Sequence, residues 1–327
     1  MLQIGKLKLK SNLILAPMAG VSDLPFRLLN RKFGCELAFI EMINSRSISH
    51  KSRKTQHMLS SNGQDRPLGI QLLGGEGKFI LKAIDVLSSY KFDILDFNAA
   101  CPVKKVVNRG EGASLLREPK RLCSLLKVLV KNSPVPVTLK IRAGWDKDSV
   151  NAREVALAAQ GCGIKAVFIH GRTKLQGYSG AVDYRIIRAV KEALSIPVIA
   201  SGDILSPELI AKMFNETGCA GVAIARGALG NPWLFRDAPG FLRNGAIAKR
   251  PSIDEVLKTM TQHLNACIDF YGERNGVVIF RKFFNWYTKG FRKIRPYREK
   301  SSRVKAAEHM VSLIQACCRL QPERETH

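Results

Sequence analysis

Carboxylates are scarce in this chain: 27 Asp and Glu stand against 52 Lys and Arg in 327 residues, a formal charge of +25. That excess goes far beyond what solubility requires, and a polyanionic partner is the economical reason for it. Long apolar runs are also missing. The longest candidate near the start, residues 13–18, is strand length, far short of the roughly 18 residues that span a bilayer, which argues against a membrane protein. The same run is too short for the apolar core of a secretory leader, so Lys6, Lys8 and Lys10 read as the approach to a first strand in a cytoplasmic protein. No basic amphipathic helix with exposed aromatics stands at either end, which disfavours an anionic membrane surface. The eight cysteines include no CxxC pair and no Cys/His spacing of a zinc site. They read as free thiols in a reducing compartment, and no metal is expected.

What the chain does have is repetition. Short β-branched and apolar runs at 13–18, 37–43, 68–73, 94–99, 137–142, 166–171, 197–202 and 221–226 alternate with segments of helical periodicity. Eight such units over roughly 240 residues fit a (β/α)8 TIM barrel better than an open doubly wound sheet. The strand pattern stops after Trp233, residues 244–252 have linker composition, and Ser252 with Glu255 resembles a capping box. Val256, Met260, Leu264, Cys267 and Ile268 then follow helical spacing. The expected organisation is a barrel over 1–243 and a small all-helical domain of three or four helices over 244–327.

In such a barrel the active site is built at the C-terminal ends of the strands. Those ends are unusually polar here: Gln71, then Asp96 and Asn98 running into Cys101, then Lys140 and Arg142, then His170, Ser201-Gly202-Asp203 and Ala225-Arg226-Gly227. Alternation puts Asp96 with Asn98, and Lys140 with Arg142, on one face. Gly202 and Gly227 follow strands seven and eight, where this fold commonly binds phosphate through backbone N–H groups. With Lys140, His170 and Gln71 around the same mouth, a phosphorylated ring cofactor such as FMN is the specific reading: Gln71 for the pyrimidine edge, Lys140 for negative charge near N1.

The stretches Leu15-Ala16-Pro17-Met18-Ala19-Gly20-Val21-Ser22-Asp23, Asp96-Phe97-Asn98-Ala99-Ala100-Cys101-Pro102-Val103-Lys104-Lys105-Val106, Leu139-Lys140-Ile141-Arg142 and Ile169-His170-Gly171-Arg172-Thr173 closely resemble those of the tRNA-dihydrouridine synthases. Ile4-Gly5, Pro25-Phe26-Arg27 and Asn231-Pro232-Trp233 are most similar to the bacterial B-type branch. The resemblance implies FMN as cofactor, NADPH as electron donor, and reduction of D-loop uridines of tRNA. It makes Cys101 the general acid that protonates C5 while hydride goes to C6. It places Ala16, Pro17, Met18, Gln71, Lys140, Ser201, Gly202, Asp203, Ala225 and Arg226 on FMN-binding positions, with His170 near the flavin. Two departures stand out: Ala100 occupies a position where the family usually has Gly, and Ser201 one where it has Asn.

Between residues 281 and 305 ten Lys and Arg face one acid, Glu299, and are interleaved with Phe283, Phe284, Trp286, Tyr287, Phe291 and Tyr297. Basic residues among aromatics suit a phosphate-tracking surface with stacking platforms, the alternative being a solvated helix face over a core. Lys104, Lys105, Arg292, Lys293, Arg295 and Arg298 are the RNA-contact candidates. A second cluster, Arg46, His50, Lys51, Arg53 and Lys54, is placed at the barrel mouth. A small-substrate FMN barrel oxidoreductase and a non-catalytic RNA-binding barrel are the competing classes, and a monomer is the default state.

Overall fold

The computed structural model describes residues 1–49, 53–247 and 249–320, with Arg53 and Lys54 described by backbone alone. The chain groups into two compact units: Met1–Asp23 with Cys35–Ala225, and Leu24–Gly34 with everything from Arg226 onward.

The first unit opens with an antiparallel hairpin, β1 (Leu2–Ile4) and β2 (Leu7–Leu9). Nine parallel strands follow: β3 (Leu13–Leu15), β4 (Leu37–Phe39), β5 (Ile43–Asn44), β6 (Leu68–Leu73), β7 (Ile94–Ala99), β8 (Val137–Arg142), β9 (Ala166–His170), β10 (Val198–Ser201) and β11 (Gly221–Ile224). Their order is β4-β3-β11-β10-β9-β8-β7-β6-β5, and a β4–β6 pairing shuts the ring. β4 and β5 are successive pieces of one stave, so the eight apolar runs make the eight staves of a (β/α)8 barrel. Four strands, β3, β9, β10 and β11, end one to three residues before their apolar runs do. β3 stops ahead of Pro17, which has no N–H for a ladder, and β10 stops where Gly202 turns the backbone to φ +114°.

Large and small residues interlock inside the barrel. Phe39 and Phe168 meet edge to face at 5.6 Å. Position 69 is glycine for a steric reason: a Cβ there would lie 2.2 Å from the Phe39 ring. The β1–β2 hairpin, which the sequence reading passed over as a lysine-rich preface, buries Leu2, Ile4 and Leu9 in the same cluster as Ile14, Phe39, Ile94 and Ile199. Its lysines point to solvent, and Gly5 supplies the left-handed turn residue at φ +58°.

The connections carry α1 (Leu24–Lys32), which groups with the second unit, then α2 (Ser45–Ser49), α3 (Arg53–Met58), α4 (Gly77–Leu87), α5 (Lys104–Val107), α6 (Pro119–Asn132), α7 (Ala152–Gly161), α8 (Tyr184–Ala193) and α9 (Pro207–Thr217). Amphipathic spacing explains the long ones: α4 buries Ile80, Ala83, Ile84 and Leu87, and α6 buries Leu122, Leu125, Leu126 and Leu129.

The second unit adds α10 (Leu234–Asn244), α11 (Ile253–Tyr271), α12 (Glu273–Tyr287), α13 (Arg295–Ser301) and α14 (Ala307–Arg319). The Ser252 hydroxyl caps α11 by accepting the Glu255 N–H at 3.1 Å. The Glu255 carboxylate does not close the box but accepts instead from Trp233 Nε1 at 2.8 Å and Arg236 Nη1 at 2.6 Å. Val256, Met260, Leu264 and Cys267 are buried, as their spacing predicts. One expectation is overturned here. Phe283, Phe284, Tyr287 and Phe291 are buried core residues, so they offer no stacking surface to RNA. In an α-helix, three- and four-residue spacing of aromatics marks an inward face, and α12 turns Phe280, Phe283, Phe284 and Tyr287 inward while Trp286 stays half-buried.

Candidate active site

All strands of a closed parallel barrel end on the same side, so residues at their C-terminal ends share one mouth. β7 contributes most of the polar chemistry. Its Asp96 and Asn98 alternate with the apolar Phe97 and Ala99, and all four are buried. A hydrogen-bond chain runs through them. Thr138 Oγ1 donates to Asp96 Oδ1 at 2.6 Å, and Gln71 Nε2 donates to Asp96 Oδ2 at 2.6 Å. Asn98 Nδ2 donates to Gln71 Oε1 at 2.8 Å, and its Oδ1 accepts from the backbone N–H groups of Ala100 at 2.9 Å and Cys101 at 2.8 Å.

The loop carrying Cys101 is therefore gripped from the strand beneath it. It is gripped from the other side by Arg142, whose Nε donates to the Ala100 carbonyl at 2.8 Å. The same guanidinium donates through Nη1 to the carbonyls of Thr173 at 2.9 Å and Gly177 at 2.8 Å. One buried arginine thus ties the loop after β7 to the loop after β9. Ala100 does not take a left-handed conformation, so its Cβ is accommodated without strain in place of the family's glycine.

His170, at the end of β9, lies beside Arg172 and 6.3 Å from the Tyr178 ring. Arg172 pairs with the Asp203 carboxylate just beyond β10. Gly202 sits between them. A Cβ at that position would lie 2.8 Å from both the His170 ring and Val182, and φ is +114°, so only glycine fits. The Ser201 hydroxyl donates to the Ile169 carbonyl at 3.1 Å, a bond within the sheet that does not need the family's asparagine. Ala16, Pro17 and Met18 follow β3, and the Met18 N–H donates to Ser22 Oγ at 2.9 Å. Ala225 closes the first unit and Arg226 opens the second with a short 3-10 turn.

Burial dominates the electrostatics. It pushes the Asp96 carboxyl up to about 6 against the opposing effects of its Thr138 and Gln71 hydrogen bonds and the Lys140 charge. It lowers the Lys140 ammonium, with Arg142 adding and Asp96 opposing. It also raises the Cys101 thiol, although the Val103 N–H and the Arg142 charge pull the other way. A thiol raised above its ordinary range is protonated at neutral pH, the state of a proton donor rather than of a nucleophile.

A family model described as dihydrouridine synthase matches residues 14–321. This chain belongs to the dihydrouridine synthase family. Among the relatives of this dihydrouridine synthase, tRNA-dihydrouridine synthase B of Xanthomonas campestris is 39% identical over 312 residues, covering 95% of this chain and 94% of that protein. The Pseudomonas aeruginosa protein of the same name is 40% identical over 302 residues, covering 92% and 91%. The one from Vibrio parahaemolyticus is 38% identical over 314 residues, covering 96% and 98%.

In this dihydrouridine synthase the barrel places Gln71 and Lys140 in the C-terminal halves of β6 and β8, His170 and Ser201 at the ends of β9 and β10, and Cys101, Gly202 and Asp203, with Ala16, Pro17 and Met18, in the segments just beyond strands. The RNA-contact candidates are exposed at Lys104 and Lys105 in the first unit and at Arg292, Lys293 and Arg295 in the second. Arg298 is different: it is half-buried and donates to the Asn285 carbonyl at 3.1 Å. In the second basic cluster, Arg46 pairs with Glu76 and lies over the Phe79 ring at 4.4 Å. His50 and Lys51 lie outside the described residues, as do the side chains of Arg53 and Lys54. Reading strand ends one by one gave no role to Thr138, Arg172 or Tyr178. Thr138 could have been found from the alternation Thr138, Lys140, Arg142 along β8, but the Arg172 and Tyr178 contacts are made by loops that no periodicity describes. Among the described residues no helix is long and apolar enough to cross a membrane, and no group of three His, Cys, Asp or Glu could hold a metal ion.

Proposed function

We propose that this dihydrouridine synthase reduces uridines in the D-loop of tRNA to 5,6-dihydrouridine, with FMN as bound cofactor and NADPH as electron donor. The placement of Cys101 on a loop fixed by Asn98 and Arg142 beyond β7 is the observation that carries the reading, and burial of the thiol, which raises its pKa, suits a proton donor. Transfer RNA as the substrate is supported by the names of the relatives and by the +25 charge of the chain.

The donor set suits FMN. The buried Gln71 amide keeps a second N–H beyond the one given to Asp96, which fits a pyrimidine edge, and Lys140 supplies a cation near Asp96. Gly202, which turns the backbone just beyond β10, suits a phosphate through the N–H groups of its loop, and the resemblance assigns Arg226 as a further cofactor residue. Ala16, Pro17, Met18, His170, Ser201, Asp203 and Ala225 complete the assigned set. When bound, the flavin supplies hydride to C6 of the uracil. Cys101 gives its proton to C5, and burial of the thiol keeps that proton in place until it is needed. The uridine has to leave its stack to reach the mouth, which demands a firm grip on the rest of the RNA. Lys104, Lys105, Arg292, Lys293, Arg295 and Arg298 are assigned to it, with catalysis in 1–243 and RNA binding centred on 244–327.

The test is mass spectrometry of nucleosides from unmodified tRNA incubated with the protein and NADPH. Uridine heavier by two hydrogens is expected with the wild type and is lost with Cys101→Ala, which retains flavin and tRNA. Full turnover by Cys101→Ala would remove the proposed acid. No reduced uridine with the wild type would overturn the substrate.

A further inference from the structure

An ionised carboxylate can only accept hydrogen bonds, and this constrains every amide in the chain that leads from Asp96 to the Cys101 loop. Asp96 accepts from Thr138 on one oxygen and from Gln71 on the other. Gln71 must therefore turn its NH2 toward Asp96, which leaves its oxygen facing Asn98. Asn98 must in turn spend an N–H on Gln71, which directs its own oxygen at the Ala100 and Cys101 N–H groups. Reversing any one amide would put donor against donor in a buried network, at a cost comparable to an unmade hydrogen bond at each step.

We infer that Asp96 is a positioning residue for the proton donor: its acceptor-only carboxylate sets the orientation of Gln71 and Asn98 and thereby holds the loop that carries Cys101. The inference rests on the reading of Cys101 as the acid. Asp96 reaches the acid loop only through Gln71 and Asn98. Lys140 is the charged group that it faces, and this cation favours the ionised form that the polarity requires. The Cys101 thiol is tuned by the same loop, through its burial and the Val103 N–H. A change of polarity at Asp96 is thus felt at a sulfur that it does not contact.

Asp96→Leu removes the acceptor altogether. Gln71 then has nothing to hold its NH2, the grip on Asn98 loosens, and the released loop exposes the thiol. Asp96→Asn is the conservative variant: its oxygen keeps the bond from Gln71 while its NH2 donates to the Thr138 hydroxyl, which can accept, so the polarity of the chain is restored. The readout is the rate of Cys101 alkylation by iodoacetamide against pH, followed by peptide mass spectrometry so that the other cysteines do not interfere. This rate requires neither flavin nor RNA. Asp96→Leu is expected to speed Cys101 alkylation at least threefold at pH 8 and to slow uridine reduction about tenfold, with the alkylation profile returning to that of the wild type in Asp96→Asn.

Wild-type alkylation in Asp96→Leu, or an Asp96→Asn protein no different from Asp96→Leu, would overturn the inference. Lower thermal stability with an unmoved alkylation profile would assign Asp96 a structural role only, and would overturn it too. If Asp96→Leu does not fold, Gln71→Leu, which breaks the same chain one link further on, is put through the same alkylation assay, and a wild-type profile there refutes the chain. The Cys101→Ala turnover assay tests the acid assignment separately, so failure of that reading and failure of this one are distinguishable.

Discussion

Replacing Gly202 with alanine tests the proposed phosphate loop and its steric argument together. The added methyl meets the His170 ring and Val182 at 2.8 Å, closer than real Cβ contacts come. The His170 ring cannot swing away freely, because it is buried and flanked by Arg172 and Tyr178. The φ of +114° adds a backbone penalty of about 1–2 kcal/mol for any residue with a Cβ. Displacing the ring from its rotamer adds about 0.5–1.5 kcal/mol. Together they predict a loss of about 1.5–3.5 kcal/mol in the stability of the barrel. If the loop shifts enough to lose one charge-assisted bond from a backbone N–H to the cofactor phosphate, about 1.5–3 kcal/mol of affinity goes with it. That corresponds to FMN binding roughly ten- to a hundredfold weaker. The assays are thermal melting of the apoprotein and fluorescence titration with FMN. A Gly202→Ala protein that melts with the wild type and binds FMN within twofold of it would refute both the clash and the assignment of this loop.

Lys140→Met is expected to weaken FMN binding roughly tenfold or to slow reduction of the bound flavin by NADPH to a similar degree; unchanged titration and stopped-flow traces would contradict it. Replacing Arg292, Lys293 and Arg295 together with alanine should weaken tRNA binding and flatten its dependence on log salt by roughly two units if each meets one phosphate, with flavin content unaltered. Arg298 is left out of that set because its bond to Asn285 makes loss of fold a second effect. His263 gives a pH prediction. Burial first, and then the nearby Lys282 charge, depresses its folded pKa from 6.5 to about 3, and its Nε2 has no hydrogen-bond partner. Below pH 6.5 the unfolded chain takes up a proton that the folded one refuses, so stability present above pH 6.5 is lost as pH falls toward 3. At pH 5 the loss is about 2 kcal/mol. Denaturant melts at pH 5 and pH 7.5 check it, and the part of the difference due to this residue should vanish in His263→Leu.

The repeat of eight apolar runs was legible because a barrel stave is local: each needs only a few β-branched residues bounded by turn chemistry, and hydrogen bonding to both neighbours then follows. The helical tail was legible for the same reason, through the Ser252 cap and the three- and four-residue spacing that follows it. Residue type at strand ends named Gln71, Cys101, Lys140 and His170, since polar groups are expensive there unless something uses them. The aromatics of α12 misled because a one-dimensional count of bases and rings carries no direction, whereas Phe283, Phe284 and Tyr287 turn inward once the helix packs.

Tertiary structure decided the rest. Arg142 joins residues 31 and 35 positions away to the acid loop, and Asn98 reaches Gln71 across 27. Contacts of that span have no periodicity to betray them. The orientation of an amide, the burial that raises a thiol and the ring that forbids a Cβ at residue 202 arise only when the closed barrel sets strand against strand. The order of residue types along this chain therefore determined the staves, the caps and the identities of the chemical groups. Their distances, polarity and protonation were decided by closure, which brings groups remote in sequence into one place shielded from water.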